Sequence, residues 1–241
     1  LQDRDTGHIP WLSERRSSID WKFSKRYQKY LNTRTQMSPR TILRSDELTD
    51  SILDMMGDPH SNQNFDRRGM AVGQVQSGKT SNYIELICKS ADAGYKFIVI
   101  LAGNTNDLRA QTQLRVDRGF LGWDTRLNLK LSQESKRTGV GELLGEDITA
   151  YRASSLTSAN ERGDFNLKVA NQGLFVLGGD PLILIVKKNS SVLRNLVNWA
   201  KSLSPGGSEQ RIDNIPFLLI DDEADWGSLN TSKEDDDPTV L

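Results

Sequence analysis

The sequence predicts an α/β protein built on a mostly parallel sheet with helices on both faces. Three observations carry the prediction. From Arg68 onward, apolar runs of strand length alternate with segments of helix length. The first strand-to-helix joint is a loop bounded by glycines, residues 73–80. The last apolar run, residues 217–220, ends in Asp221-Asp222-Glu223, so a strand delivers carboxylates to its C-terminal end, where open α/β sheets bind ligands.

Composition sets the bounds. The chain has 241 residues, 36% hydrophobic and 26% charged, with a mean hydropathy of -0.54. The longest apolar run, residues 97–102, falls far short of the ~20 residues a membrane helix needs. One cysteine excludes an intramolecular disulfide framework and any multi-cysteine zinc site, and Cys88 is expected as a buried thiol in a helix. The net charge of -1 hides an asymmetry, with ten Lys/Arg against four Asp/Glu in residues 1–45 and one Lys against eight Asp/Glu in residues 221–241. A basic end of this kind suits a nucleic-acid backbone, although charges spread over such a length are more often a solvated face. With no initiator Met and an acidic run just before its last residues, the chain reads as a piece of a longer protein.

Taken in order, residues 1–17 are polar and aperiodic. Trp21, Phe23, Tyr27, Tyr30 and Leu31 form an aromatic stripe at helical spacing with Lys and Arg between them. That pattern serves packing first and single-stranded nucleic acid second. Ser45-Asp46-Glu47-Leu48 is expected to open a second helix that runs to Gly57 and stops at Asp58-Pro59. Residues 1–66 thus form a helical appendage, and residues 67–241 the α/β lobe. Within the lobe, residues 69–72 and 96–102 read as strands, 81–93 and 107–118 as helices. Residues 119–164, polar and rich in glycine, read as an insertion with a short strand near 148–151. Residues 182–186 and 217–220 complete the strands, with a helix over 190–203 between them.

Gly73-Gln74-Val75-Gln76-Ser77-Gly78-Lys79-Thr80 fits the pattern G-x-x-x-x-G-K-[ST] in full. Each part has a physical purpose. The glycines let the backbone wrap closely and turn its N–H groups inward as an anion nest. The helix that follows, with Ser81 in its first turn, points its positive end at the bound phosphates. Lys79 supplies a point charge to the β- and γ-phosphates of ATP, and the Thr80 hydroxyl a ligand to Mg²⁺. A phosphate loop needs a metal carboxylate as its complement. Asp222 takes that role through water, with Asp221 as its competitor, and Glu223 orients and deprotonates the attacking water. The only histidines, His8 and His60, fall in loops without a partner and support no metal or nuclease site.

Asp222-Glu223-Ala224-Asp225 spells the acidic tetrad of DEAD-type superfamily-two helicases. More specifically, Val72 to Tyr83, Ala91-Asp92-Ala93-Gly94-Tyr95-Lys96, Ile100-Leu101-Ala102-Gly103, Leu108-Arg109-Ala110-Gln111-Thr112-Gln113, Gly119-Phe120-Leu121-Gly122 and Leu219 to Asp225 resemble the Z1-domain family of bacterial ATPases. The resemblance covers roughly residues 20–235. It implies a RecA-like P-loop NTPase core related to helicases, with ATP and Mg²⁺ as cofactors, in the bacterial cytoplasm. It also implies coupling to DNA in restriction-like antiphage defence, beside a GHKL-type ATPase and a nuclease. Arg109 and Gln111 fall where such ATPases first face nucleic acid. Family members continue into a second RecA-like lobe that supplies arginine fingers, and this chain stops before it. The alternatives are an ATPase that switches a partner protein and an endonuclease subunit. No compact carboxylate–lysine cluster of a nuclease is visible in the sequence.

Overall fold

The computed structural model describes residues 8–71, 79–127, 129, 132, 134–145, 149–172, 178–202, 215–222 and 224. The chain divides into two compact units, Leu1–Tyr95 with Arg118–Gly122 and Thr138–Tyr151, and Lys96–Asp117 with Trp123–Arg137 and Arg152–Leu241. Seven α-helices and one sheet of four parallel strands are present among the described residues, an α/β architecture of the predicted class.

The first unit is helical. It holds α1 (Leu12–Arg15), α2 (Lys22–Arg34), α3 (Pro39–Met55) and α4 (Lys79–Ala93). The aromatic stripe of α2 is a packing face, with Phe23, Tyr27 and Leu31 buried at helical spacing. The helix expected to open at Ser45 begins earlier, at Pro39. Ser38 accepts from the Thr41 N–H as N-cap and Pro39 occupies the first turn, which together outweigh the weaker signal at Ser45. Ser45 lies inside α3, buried, and donates to Glu85 of α4. Residues 69–71 do not form the predicted strand. They are irregular and exposed, Met70 by 83%, and lack the buried face that would hold such a short segment extended. Val72 lies outside the described residues.

Side chains from neighbouring helices complete the helix ends. Asp54 of α3 accepts from the Trp11 and Leu12 amides at the start of α1. Asp92, near the end of α4, accepts from the Phe23 and Ser24 amides at the start of α2, both at 2.9 Å. Arg26 is buried. Its guanidinium donates to the Phe120 carbonyl and lies 5.3 Å from the Phe23 ring centroid and 4.5 Å from that of Tyr151. Burial lowers its pKa to about 10. Tyr151 belongs to a 3₁₀ turn, Thr149–Tyr151, where a strand was expected. The turn presents the ring to the buried cation, a contact that an extended backbone pattern does not anticipate. Gly122 (φ +94°) and Gly139 (φ +55°) adopt left-handed conformations, and a Cβ on Gly141 would lie 1.8 Å from the Gly122 carbonyl oxygen. Glycines are therefore what lets segments 118–122 and 138–151 close on each other.

The second unit carries the sheet, in the order β2-β3-β1-β4, from β1 (Phe97–Ala102), β2 (Ser154–Ser155), β3 (Leu182–Val186) and β4 (Phe217–Asp222). β1 and β3 are buried along both faces, as continuous apolar runs in parallel sheets are. Phe97, Val99, Leu182, Leu184 and Val186 share one face with Leu196 and Trp199 of α7 (Ser190–Ser202) and Ala170 of α6 (Leu167–Ala170). α5 (Asn106–Val116), N-capped by Thr105, follows β1 and continues as a π-turn, Asp117–Leu121. β2 is two residues long because side chains take over the ladder beyond it. The Thr157 hydroxyl accepts from the Ile185 amide and donates to Gln113.

Asp92 and Asp117 carry carboxyls that burial pushes up to about 6, against an ordinary ~3.9. Between about pH 4 and 6 the native state therefore holds more protons than the unfolded chain. The stability these two groups contribute is full at the acid end of that window and falls as pH rises through it. Urea unfolding of Asp92→Asn is expected to lose part of that negative slope relative to the parent. Parallel profiles for the two proteins would show that Asp92 titrates normally.

Candidate functional site

The phosphate-loop half of the predicted site belongs to the first unit. Gly73, Gln74, Val75, Gln76, Ser77 and Gly78 lie outside the described residues. α4 begins at Lys79, directly after them, with Thr80 and Ser81 in its first turn and no acidic residue there. The positive end of a 15-residue helix thus stands at the end of the loop without a local carboxylate to offset it. The helix is firmly held. The Tyr27 hydroxyl approaches the Ser81 carbonyl at 3.5 Å, and Ser45 donates to Asn82 at 2.8 Å. Glu85, fully buried, accepts from Gln28 and Ser45, and burial raises its pKa. Lys89 has a side chain only 2% exposed and bridges Asp46 and Asp50 of α3 at 2.6 Å each. Cys88 is buried, its thiol pushed well up by desolvation, as a core cysteine is.

The acidic half belongs to the second unit. β4 pairs with β1 in parallel register, which places Asp221 beside Leu101 and Asp222 beside Ala102 at the C-terminal end of the sheet. Successive strand residues face opposite sides, so the two carboxylates point to different faces. They also differ in partners. Lys188, with a side chain 2% exposed, sets its Nζ 2.6 Å from Asp221 Oδ1. Its own amide donates to the Gly103 carbonyl at 2.7 Å, just past the end of β1. Lys188 therefore reaches from the end of β3 across the end of β1 to β4. Asp221 is engaged by a buried cation, which favours Asp222 as the carboxylate for a metal ion. Glu223 and Asp225 lie outside the described residues. Lys188 is the residue that sequence reasoning missed. Its signal was that Lys187-Lys188 follow an apolar strand just as Asp221-Asp222 do.

The two residues expected against a phosphate backbone part company. Gln111 is exposed on α5. Arg109 is fully buried, and its guanidinium donates to the carbonyls of Ser158 (2.8 Å), Asn160 (2.6 Å) and Gly163 (3.4 Å). Those bonds tie down a turn of the second unit and leave no face for a ligand.

Taken separately, the first unit holds a helix with no acidic residue in its first turn, and the second unit a parallel strand with a carboxylate at its C-terminal end. His8 Nε2 donates to the Asp54 carbonyl at 2.6 Å, and His60 is exposed on the surface. No helix among the described residues is long and apolar enough to cross a membrane. Compared with protein-family models, curated proteins and solved structures, the chain matches none of them.

Proposed function

We propose that this chain is a RecA-like P-loop ATPase unit of the kind its resemblance to the Z1-domain family implies. In the whole protein, ATP binding and hydrolysis would be coupled to DNA remodelling in bacterial antiphage defence. The observation that carries the reading is the complete phosphate-loop motif running directly into α4, whose first turn holds no acidic residue. The strand ending in Asp221-Asp222 supports it from the other side of the chemistry.

On this reading the amides of residues 73–78 would wrap the phosphates, and Lys79 would add a charge-assisted contact to the outer ones. Thr80 and Asp222 are the residues that would hold a Mg²⁺, which would supply charge neutralisation on the phosphate oxygens. Lys188 neutralises Asp221 and keeps it from competing for the metal. Glu223 accepts the proton of the attacking water and holds that water in line. Coupling to DNA rests on the resemblance and on the basic charge of the first helices.

Lys79→Ala tests the assignment. Calorimetry with Mg·ATP is expected to show binding weaker by about 1.5–3 kcal/mol, the worth of a charge-assisted hydrogen bond. The unliganded melting temperature should barely move. Parental affinity in the variant would overturn the nucleotide site.

A further inference from the structure

We propose that nucleotide binding at the phosphate loop is linked to a proton on Glu85, a buried carboxyl of α4. The inference rests on the proposed nucleotide site and adds to it a dependence on pH. Glu85 is fully buried and follows Lys79 by six residues, about 9 Å along the helix axis. A negative charge at that place offsets the positive end of the same helix and repels a polyphosphate bound there.

The hydrogen bonds around Glu85 have room for the proton. Gln28 Nε2 carries two hydrogens and gives them to Glu85 Oε1 at 2.9 Å and to Asp46 Oδ1 at 2.6 Å. The Ser45 hydroxyl carries one hydrogen and faces two oxygens, Glu85 Oε2 and Asn82 Oδ1. Four contacts thus share three hydrogens. A proton on Glu85 Oε2 donates to Ser45 Oγ, leaves the Ser45 hydrogen for Asn82, and satisfies all four. When Glu85 is ionised, Ser45 donates to the carboxylate, and the Asn82 oxygen in the first turn of α4 loses its donor.

The charges nearby leave Glu85 without a cation of its own. Asp46 of α3 is matched by Lys89 and Asp50 by Arg16, each pair at 2.6 Å, while Glu85 makes no ion pair among the described residues. Lys89 also reaches Asp50, so its one charge already faces two carboxylates. The other titratable groups beside Glu85 are Tyr27 of α2 and Cys88 of α4. Segment 118–122 meets this stretch through Gly119, against Ile84 and Cys88. Desolvation is the largest influence on the Glu85 carboxyl and raises its pKa, Asp46 adds to the rise, and Lys89 pulls the other way. An anion at the loop strengthens the hold of Glu85 on its proton, and by reciprocity the proton strengthens anion binding by the same factor. The affinity contributed by this group therefore falls as pH rises through its pKa.

The test is calorimetry of Mg·ADP binding to the whole chain between about pH 5.5 and 8, in buffers of different ionisation enthalpy. Glu85→Gln keeps the hydrogen-bond pattern of the protonated form, with its own N–H toward Ser45. It is expected to bind about three- to tenfold tighter than the parent at the alkaline end, with the gap closing toward the acid end. The ratio of the two affinities cancels the titration of the nucleotide itself. Proton uptake by the parent, read from how the binding heat varies with buffer, needs no variant. A further readout needs no nucleotide: carbon NMR of the unliganded parent should show a carboxyl that titrates above the ordinary ~4.3 of glutamate and is missing from Glu85→Gln. Failure of the parent to bind Mg·ADP overturns the nucleotide site and the linkage together. Binding with parallel pH profiles in the two proteins, or a Glu85 carboxyl that titrates in the ordinary range, overturns the linkage alone.

Discussion

In a phosphate-release assay with Mg·ATP, Glu223→Gln is expected to lower turnover by about 10²–10⁴-fold while nucleotide affinity stays within a few-fold of the parent. The amide keeps the length and one acceptor oxygen of the carboxylate, so the attacking water can still be positioned. What it loses is the ability to take a proton, and general base catalysis is worth about that factor. Separating affinity from turnover is the point of the substitution, since a folding defect would reduce both. Asp222→Asn should behave differently, raising the Mg²⁺ concentration needed for half-maximal turnover, because Asp222 ends β4 as the carboxylate assigned to the metal. If Glu223→Gln turns over at the parental rate, the base is another group, with Asp221 or Asp225 next in line.

Arg109→Met carries the largest expected structural cost. The side chain is fully buried, and its loss removes the donor of the Ser158 carbonyl, while the carbonyls of Asn160 and Gly163 each lose one of two hydrogen bonds and keep the backbone amides of Gly163 and Ser158. At ~1–3 kcal/mol for the one buried group left unsatisfied and ~0.5–1.5 kcal/mol for each further hydrogen bond lost, a destabilisation of about 2–4 kcal/mol is expected, a large share of a domain's ~5–15 kcal/mol. Arg109→Lys should recover only part of it, because an ammonium cannot fork to three carbonyls of one turn. Urea unfolding measures both. DNA binding by the folded fraction of Arg109→Met should equal the parent's, and a selective loss of binding at unchanged stability would restore Arg109 as a ligand contact.

Why some features were legible and others were not follows from how local their causes are. β1 and β3 announce themselves because strands buried on both faces must be apolar throughout. β4 was legible through its acidic end. The groups that could not be read were those whose partners are distant in sequence. Arg109 sits among polar residues of α5 that look like a helix surface, and its acceptors lie 49 to 54 positions away. Lys188 meets Asp221 only because β1 lies between β3 and β4 in the sheet. β2 has almost no apolar signature because hydroxyls extend it. At α3, two capping signals seven residues apart compete, and the one reinforced by proline prevails. The loop motif itself was legible as a pattern of residues, while its conformation lies outside the described residues.

α4 spans about 22 Å as a 15-residue helix. Its first residue follows the phosphate loop, and Asp92, next to last, grips the first two free amides of α2. Midway, Glu85 and Lys89 lock it to α2 and α3 through charged groups that tolerate little sliding. Held at its middle and at its far end, the rod takes its bearing from the helices around it, so the direction of its first turn is set by α2 and α3 and not by the loop that precedes it.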